Sequence, residues 1–263
     1  MTQFDLAGRA ILVTGPAKGM GDAVTRAIAA AGGDLVLIGR DIAAIEPLAA
    51  EMRALGRTVL VQSADITQEA DIARAVALAA EAFPQTLYGA VNVAGIYGPS
   101  GKMIWEQSAE DFRQLFDVNV LGTFLVMKFL LPELIRRGSG SVVNIGGTFG
   151  FKGVRQASLY GATKWALRGL TKSAALEAGS GGVRVNMVSP GGVDGPRLTR
   201  EIGAEAERQG VSYDERYAAF AATSALRRMS TADDIAASVL FLLSEASRNI
   251  TGQDLLVDGG TIL

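Results

Sequence analysis

The sequence has no cysteine and no histidine among its 263 residues. Without cysteine there is no disulfide, no thiolate nucleophile and no Cys-ligated zinc. Without histidine, a Ser-His-Asp triad and a His-ligated metal centre are both excluded, so no metal site is expected. Acid–base work falls to Asp, Glu, Lys or Tyr. An excess of one charge is also missing. Twenty-five basic against 27 acidic side chains leave a net charge of −2. No basic tract stands out, which argues against nucleic acid as a partner. Met1 to Gly8 carries no basic-then-apolar leader pattern. The longest apolar run, Val118 to Leu131, is interrupted by Asn119 and Lys128 and reads as too short and too polar to span a bilayer. A cytoplasmic protein with no membrane partner is the expectation.

What is present is apolar material in a repeating order. The hydrophobic fraction is 49% and the mean hydropathy +0.25, enough for a sheet covered on both faces. Short apolar runs alternate with helical patterns. Strands are predicted at Ala10–Thr14, Leu35–Ile38, Val59–Gln62, Tyr88–Val93, Ser141–Ile145, Val183–Val188 and Asp254–Val257. Between them come helices, among them Gly21–Ala31, a stretch after Asp41 as N-cap, Glu110–Arg137 bent near Pro132, Ser158–Ala178 and Thr231–Leu243. This order predicts an α/β fold with a doubly wound parallel sheet of about seven strands and helices on both faces. No linker divides residues 1–263. The insertion around 191–222, irregular from Gly191 to Tyr213, reads as a mobile substrate lid or as a plain surface excursion.

The first strand runs into Thr14-Gly15-Pro16-Ala17-Lys18-Gly19-Met20-Gly21, with a helix beyond. Glycine admits positive φ and close approach of backbone to a ligand. The helix N-terminus offers N–H groups and a positive dipole end to a pyrophosphate. The spacing is G-x-x-x-G-x-G rather than the common G-x-G-x-x-G, so position after the first strand carries the reading.

Taken in order, several motifs resemble those of the short-chain dehydrogenase/reductase family, and they span nearly the whole chain. They are the glycine turn, Asp65 after the third strand, Asn92-Val93-Ala94-Gly95 after the fourth, Asn119, Tyr160-x-x-x-Lys164, Ser189-Pro190-Gly191 and Asp258-Gly259-Gly260. The resemblance implies a Rossmann-type domain and an oxidoreductase that interconverts an alcohol and a carbonyl on a small molecule by hydride transfer. It also implies a homodimer or homotetramer. Gly15, Gly19, Met20 and Gly21 would hold the pyrophosphate and adenosine ribose. Asp65 and Ile66 would contact the adenine. Asn92, Ala94 and Gly95 would line the cofactor, and Pro190, Gly191 and Val193 would flank the nicotinamide. Read singly, Asp65 is equally a loop cap and Asn92 a turn-former. Tyr160 would be the acid/base, its phenolate stabilised and its pKa lowered by the Lys164 ammonium one helical turn away. Lys164 would also bind the nicotinamide ribose, and Asn119 would anchor a proton-carrying water.

The second strand ends at Gly39-Arg40, where NAD-selective relatives carry an acid for the ribose hydroxyls. Arg40 and Lys18 are suited to a 2′-phosphate instead. NADP(H) is therefore the preferred cofactor and NAD(H) a possible one, with Asp41 as the counter-argument unless it caps the next helix. Two departures from the family pattern matter. Counted back thirteen residues from Tyr160, the position of the usual catalytic serine is Gly147, with Thr148 beside it as the nearest hydroxyl. Gly195 occupies the place of a threonine that helps hold the nicotinamide amide. The missing serine keeps open a lyase or isomerase on the same scaffold, or a dinucleotide-binding protein with an altered site. Tyr97, Phe149 and Phe151 suggest an apolar pocket. Lys152, Arg155, Arg197 and Arg200 are either contacts for an acid group or solvated surface charges.

Overall fold

The computed structural model describes residues 4–99 and 101–263. Met1 to Gln3, the start of the N-terminal stretch read above, lie outside them. Seven strands form one sheet: β1 (Ala10–Thr14), β2 (Asp34–Gly39), β3 (Val59–Ser63), β4 (Leu87–Asn92), β5 (Gly140–Ile145), β6 (Val183–Pro190) and β7 (Asp254–Val257). All neighbours are parallel, in the order β3-β2-β1-β4-β5-β6-β7. The chain winds one way from β1 and the other way from β4. Loops leaving these two strands diverge, and a crevice opens at their C-terminal ends.

The side-chain alternation of the strands builds two cores. Ala10 and Leu12 of β1 and Val36 and Ile38 of β2 face α3 (Glu69–Ala82), α5 (Gly122–Arg137) and α6 (Ser158–Gly179). Ile11, Val13, Leu35 and Leu37 face the other way. They pack against α1 (Met20–Ala30), α2 (Ile42–Ala54) and α9 (Ala232–Leu243). Caps set the helix starts: Asp41 accepts a hydrogen bond from the Ala44 N–H at 3.1 Å, and Thr231 and Asp234 cap α9 reciprocally.

The structure corrects the sequence reading in three places. The stretch from Gly191 to Tyr213 is not irregular. It carries α7 (Pro196–Gln209), and α8 (Tyr213–Ala221) follows. Leu198, Ile202 and Ala206 recur four residues apart, and Leu198 and Ile202 join Ala221 and Met229 in a small core of their own. Second, the long helix runs unbroken through Pro132. Its irregularity is a π-type turn at Asp117–Leu121, between α4 (Ala109–Phe116) and α5. Third, this helical stretch spans 29 residues, Ala109–Arg137, and is long and apolar enough to cross a membrane by length and composition, contrary to the reading of the shorter run. The face of α5 that carries Leu125, Val126, Leu130 and Leu134 is buried against the sheet, which accounts for its apolar content.

Candidate active site

The glycine turn lies at the crevice. Gly15 has φ +66°, donates to the Ile38 carbonyl at 3.0 Å, and would bring a Cβ to 3.0 Å from Ala94 Cα. A side chain on Gly21 would drive into the Gly15 carbonyl. Gly19, at φ +58°, caps α1 with open space around it, and no side chain caps the first N–H groups of that helix. Bare N–H groups at a helix start, beside backbone kept free of side chains, fit a pyrophosphate. Thr14 Oγ1 accepts from the Val93 and Ala94 N–H groups at 3.2 Å each, which ties the loop after β4 to β1. Ala94 and Gly95 thereby reach the crevice.

The next ring of predicted residues divides. Arg40 is 79% exposed at the end of β2, with Nη1 3.9 Å from Asp65 Oδ2, and Lys18 is exposed on the glycine turn. Asp65 Oδ1 accepts from the Thr67 N–H and hydroxyl at 2.9 and 2.8 Å, so it does cap its own loop. Ile66 packs its side chain on Gly122 at the start of α5. Asn92 does not turn its amide to the crevice. It is 3% exposed and donates to Asn144 Oδ1 at 2.8 Å inside the sheet, because its side chain faces the α3/α5/α6 layer. Asn119 is engaged as well. Its amide donates to the Ile96 carbonyl and accepts the Ile96 N–H, both at 2.8 Å, and donates to Thr163 Oγ1 at 3.2 Å. Its side chain braces the loop after β4, with both amide hydrogens used in that bracing.

Tyr160 and Lys164 lie on α6, one turn apart. Lys164 is 6% exposed, and its Nζ donates to the Ile145 carbonyl at 3.0 Å and sits 5.3 Å from the centre of the Tyr160 ring. Burial works against the expected lowering of the tyrosine pKa. Burial pushes the Tyr160 phenol up to about 12, with the positive charge of Arg197 opposing it. Burial pulls Lys164 down to about 8, and Arg197 adds to that shift. Desolvation disfavours both charged forms, and it outweighs mutual help between a cation and a phenolate whose amine is turned to a carbonyl.

Gly147 faces the same space. A Cβ built there would lie 3.9 Å from the Tyr160 hydroxyl, Lys164 Cγ and the Pro190 carbonyl, the nearest atoms among the described residues. Its backbone is extended, so nothing steric demands glycine. Its N–H donates to Ser189 Oγ at 3.2 Å, and that hydroxyl donates to Asp254 Oδ1 at 2.6 Å. Arg168 Nε approaches the other Asp254 oxygen at 2.9 Å. This buried chain from β6, β7 and α6 holds the Gly147 peptide. Sequence reading missed it, since no spacing links Ser189, Asp254 and Arg168. Thr148 is 5% exposed and opens a short 3₁₀ turn, Thr148–Gly150, beside Gly147.

A cleft of about 330 Å³ opens over these groups. Gly147, Thr148 and Tyr160 line it, as do Pro190 and Gly191 at the end of β6. Val193 bridges to Ser230 just beyond. Tyr97, Phe149 and Tyr160 form an aromatic wall, with the Tyr97 and Tyr160 rings 4.6 Å apart. Phe151 instead lies under the Arg168 guanidinium, 3.9 Å from ring centre to Cζ. The opposite wall is the α7–α8 insertion with Leu198, Glu201 and Phe220, joined by Met229 from the segment before α9. The sequence reading named none of these four, having taken the stretch from Gly191 to Tyr213 as irregular.

Comparison with known proteins agrees with this geometry. A family model described as Enoyl-(Acyl carrier protein) reductase matches residues 15–261. L-fucose dehydrogenase of Mus musculus is 38% identical over 258 residues, 97% of this chain and 89% of that protein. The solved structure of NAD+-bound xylitol dehydrogenase superposes with a TM-score of 0.91 at 27% identity, covering 98% of this chain and all of that one. ElxO with NADP bound superposes at 0.85 with 28% identity, covering 96% of this chain and 98% of its own. With the sheet, the glycine turn and these relatives in agreement, the chain belongs to the short-chain dehydrogenase/reductase family and is an NAD(P)-dependent oxidoreductase of the alcohol/carbonyl type.

Proposed function

We propose that this enzyme prefers NADP(H) and interconverts an alcohol and a carbonyl on a small-molecule substrate, with Tyr160 as the acid/base. The observation that carries this reading is the Tyr160 hydroxyl in the wall of a cleft that also holds Gly147, Pro190 and Gly191. The nicotinamide dinucleotide, when bound, supplies the two-electron redox chemistry. Gly15, Gly19, Met20 and Gly21 would hold its pyrophosphate and adenosine ribose, Asp65 and Ile66 its adenine, Ala94 and Gly95 would line it, and Pro190, Gly191 and Val193 would flank its nicotinamide. Tyr160 gives its phenolic proton to the carbonyl oxygen in reduction and takes the alcohol proton in oxidation. Lys164, a buried amine with one carbonyl partner among the described residues, has hydrogens left for the ribose. The exposed apolar side chains Phe112, Phe124 and Trp165 on α4, α5 and α6 support a homo-oligomer.

The NADP(H) preference rests on Arg40 and Lys18 at the adenosine end and on Asp41, whose carboxylate is occupied in capping α2. Arg40 is mostly exposed and near Asp65, which tempers its contribution. The expected kcat/KM is about 10-fold higher with NADPH than with NADH, and Arg40→Ala should narrow that ratio. Absorbance at 340 nm measures both. Equal or better efficiency with NADH would refute the preference.

The missing serine leaves Thr148, water or the substrate to hold the reacting oxygen. Thr148 lines the cleft, which favours it. Thr148→Val should then lose at least about 10-fold in kcat, toward the lower end for removal of a transition-state donor. A silent Thr148→Val together with a Gly147→Ser that gains activity on simple ketones assigns the role to water or substrate. The added hydroxyl has room beside Tyr160. If neither variant nor parent turns over any alcohol or carbonyl while NADPH still binds, a non-redox reaction on this scaffold takes the place of the proposal.

A further inference from the structure

We infer that the substrate is an apolar or aromatic alcohol, or its carbonyl partner, that carries an anionic group, and that Arg197 with Lys152 receives that group. The inference rests on the cleft's being the substrate site, as proposed above. Four basic side chains near the site were ambiguous in sequence. The structure divides them, since Lys152 and Arg197 line the cleft and Arg155 and Arg200 do not.

Arg197 sits in the first turn of α7. Its guanidinium carbon is 5.1 Å from the centre of the Tyr97 ring, and that ring is 4.6 Å from the ring of Tyr160. The cation thus hangs on the far side of the aromatic wall from α6, within reach of a molecule lying between them. One arm is used: Nη1 donates to Glu201 Oε1 at 2.9 Å, on the next turn of the same helix. A guanidinium has five N–H donors, and the remaining edge is suited to a carboxylate. Lys152 makes no salt bridge among the described residues.

The other charges facing the cleft are occupied. Glu201 is held by Arg197. Asp258 accepts the Gly260 and Ile262 N–H groups at 2.8 Å each, and Arg228 pairs with Asp234 at 3.1 Å. Lys152 is left without an ion-pair partner among the described residues, and Arg197 shares its charge with Glu201 while keeping N–H donors that this pair does not use. Around it the surface is apolar, from Phe149, Leu198, Phe220 and Met229. A cavity of about 330 Å³ is at the small end for ligand pockets, which suits one ring with a short polar substituent. Burial raises the Tyr160 pKa, Arg197 opposes that shift and Glu201 adds to it, so both members of the pair act on the reacting groups.

The probes are 1-phenylethanols bearing a ring carboxylate, compared with their neutral methyl esters. The parent enzyme with NADP⁺ should show kcat/KM at least about 10-fold higher for an acid than for its ester, the scale of one charge-assisted bond. Arg197→Gln should bring that ratio toward one, chiefly by raising KM for the acid. Arg197→Lys should retain part of it, and Arg155→Gln should leave it intact. Calorimetric titration with the acid alone should give binding that weakens by at least about 10-fold in Arg197→Gln. Esters oxidised as well as acids, or a ratio that survives Arg197→Gln, would overturn the anionic-substrate inference and leave the oxidoreductase proposal standing. If neither acids, esters nor unsubstituted alcohols are oxidised and no acid binds, the anionic-substrate inference falls, and the proposed reaction is then decided by the wider panel of alcohols and carbonyls with Thr148→Val and Gly147→Ser.

Discussion

Tyr160→Phe should lower turnover by about 10²- to 10⁴-fold in both directions while changing cofactor affinity no more than a few-fold. The phenol lies on the cleft wall beside Gly147, and phenylalanine keeps the ring packing against Tyr97 and Phe149. The expected loss is therefore chemical and not structural. Lys164→Ala should damage turnover and cofactor affinity together, since its amine serves the ribose as well as the phenol. With Tyr160 pushed up to about 12, the phenol is protonated and ready as an acid near neutral pH. Reduction then needs no prior ionisation. Oxidation, which needs the phenolate, should gain with rising pH. Steady-state kinetics in both directions, with cofactor binding followed by fluorescence, separates these effects. Full turnover in Tyr160→Phe would end the mechanism.

Lys164→Met should make the protein more stable and inactive. Folding takes this amine from 10.5 to about 8 because burial disfavours its charge. Below pH 8 both folded and unfolded chains hold the proton, and the folded state bears the full unfavourable charge. Between pH 8 and 10.5 only the unfolded chain keeps it, so stability of the parent rises with pH. Above 10.5 the difference vanishes. A pKa shift of this size corresponds to about 3 kcal/mol. Loss of the bond to the Ile145 carbonyl takes back about 1 kcal/mol. The net gain near pH 6.5 is about 2 kcal/mol, or roughly 4–8 °C in Tm for a chain of this size. At pH 9.5 the charge effect should shrink by about half. Tyr160 works in the opposite sense only above pH 10, where the unfolded phenol ionises first, so it does not disturb this window. Thermal melts of parent and variant at the two pH values decide the matter. A variant that is less stable at pH 6.5, or a gain that grows with pH, would show that the lysine is not a buried cost to folding.

The stability of the sheet and the activity of the site pull against each other at Lys164. A methionine would pack against Ile145 and Gly147 without a charge to desolvate. A gain in stability with loss of activity in Lys164→Met would identify the amine as a group held for function rather than for folding.

Sequence alone determined the strand order along the chain, the doubly wound class and the place of the glycine turn, because these depend on local periodicity and on backbone conformations that only glycine adopts readily. It also placed Tyr160 and Lys164 on one helix face, since their spacing is one turn. The Asp41 cap was legible for the same reason: its partner, the Ala44 N–H, is three residues away. Other features were decided only by tertiary structure. Whether Asn92 faces the crevice or the sheet depends on β5, which brings Asn144 to it across 52 residues. The direction of the Tyr160 shift depends on how much water the packed insertion leaves beside the phenol, and no spacing encodes that. The link from Gly147 through Ser189 to Asp254, and the choice of Arg197 and Lys152 over Arg155 and Arg200, belong to side chains that meet only after the sheet has closed. Contacts within a turn or a helix are fixed by spacing along the chain, whereas contacts between elements are fixed by packing, and the charge of the site is set by that packing.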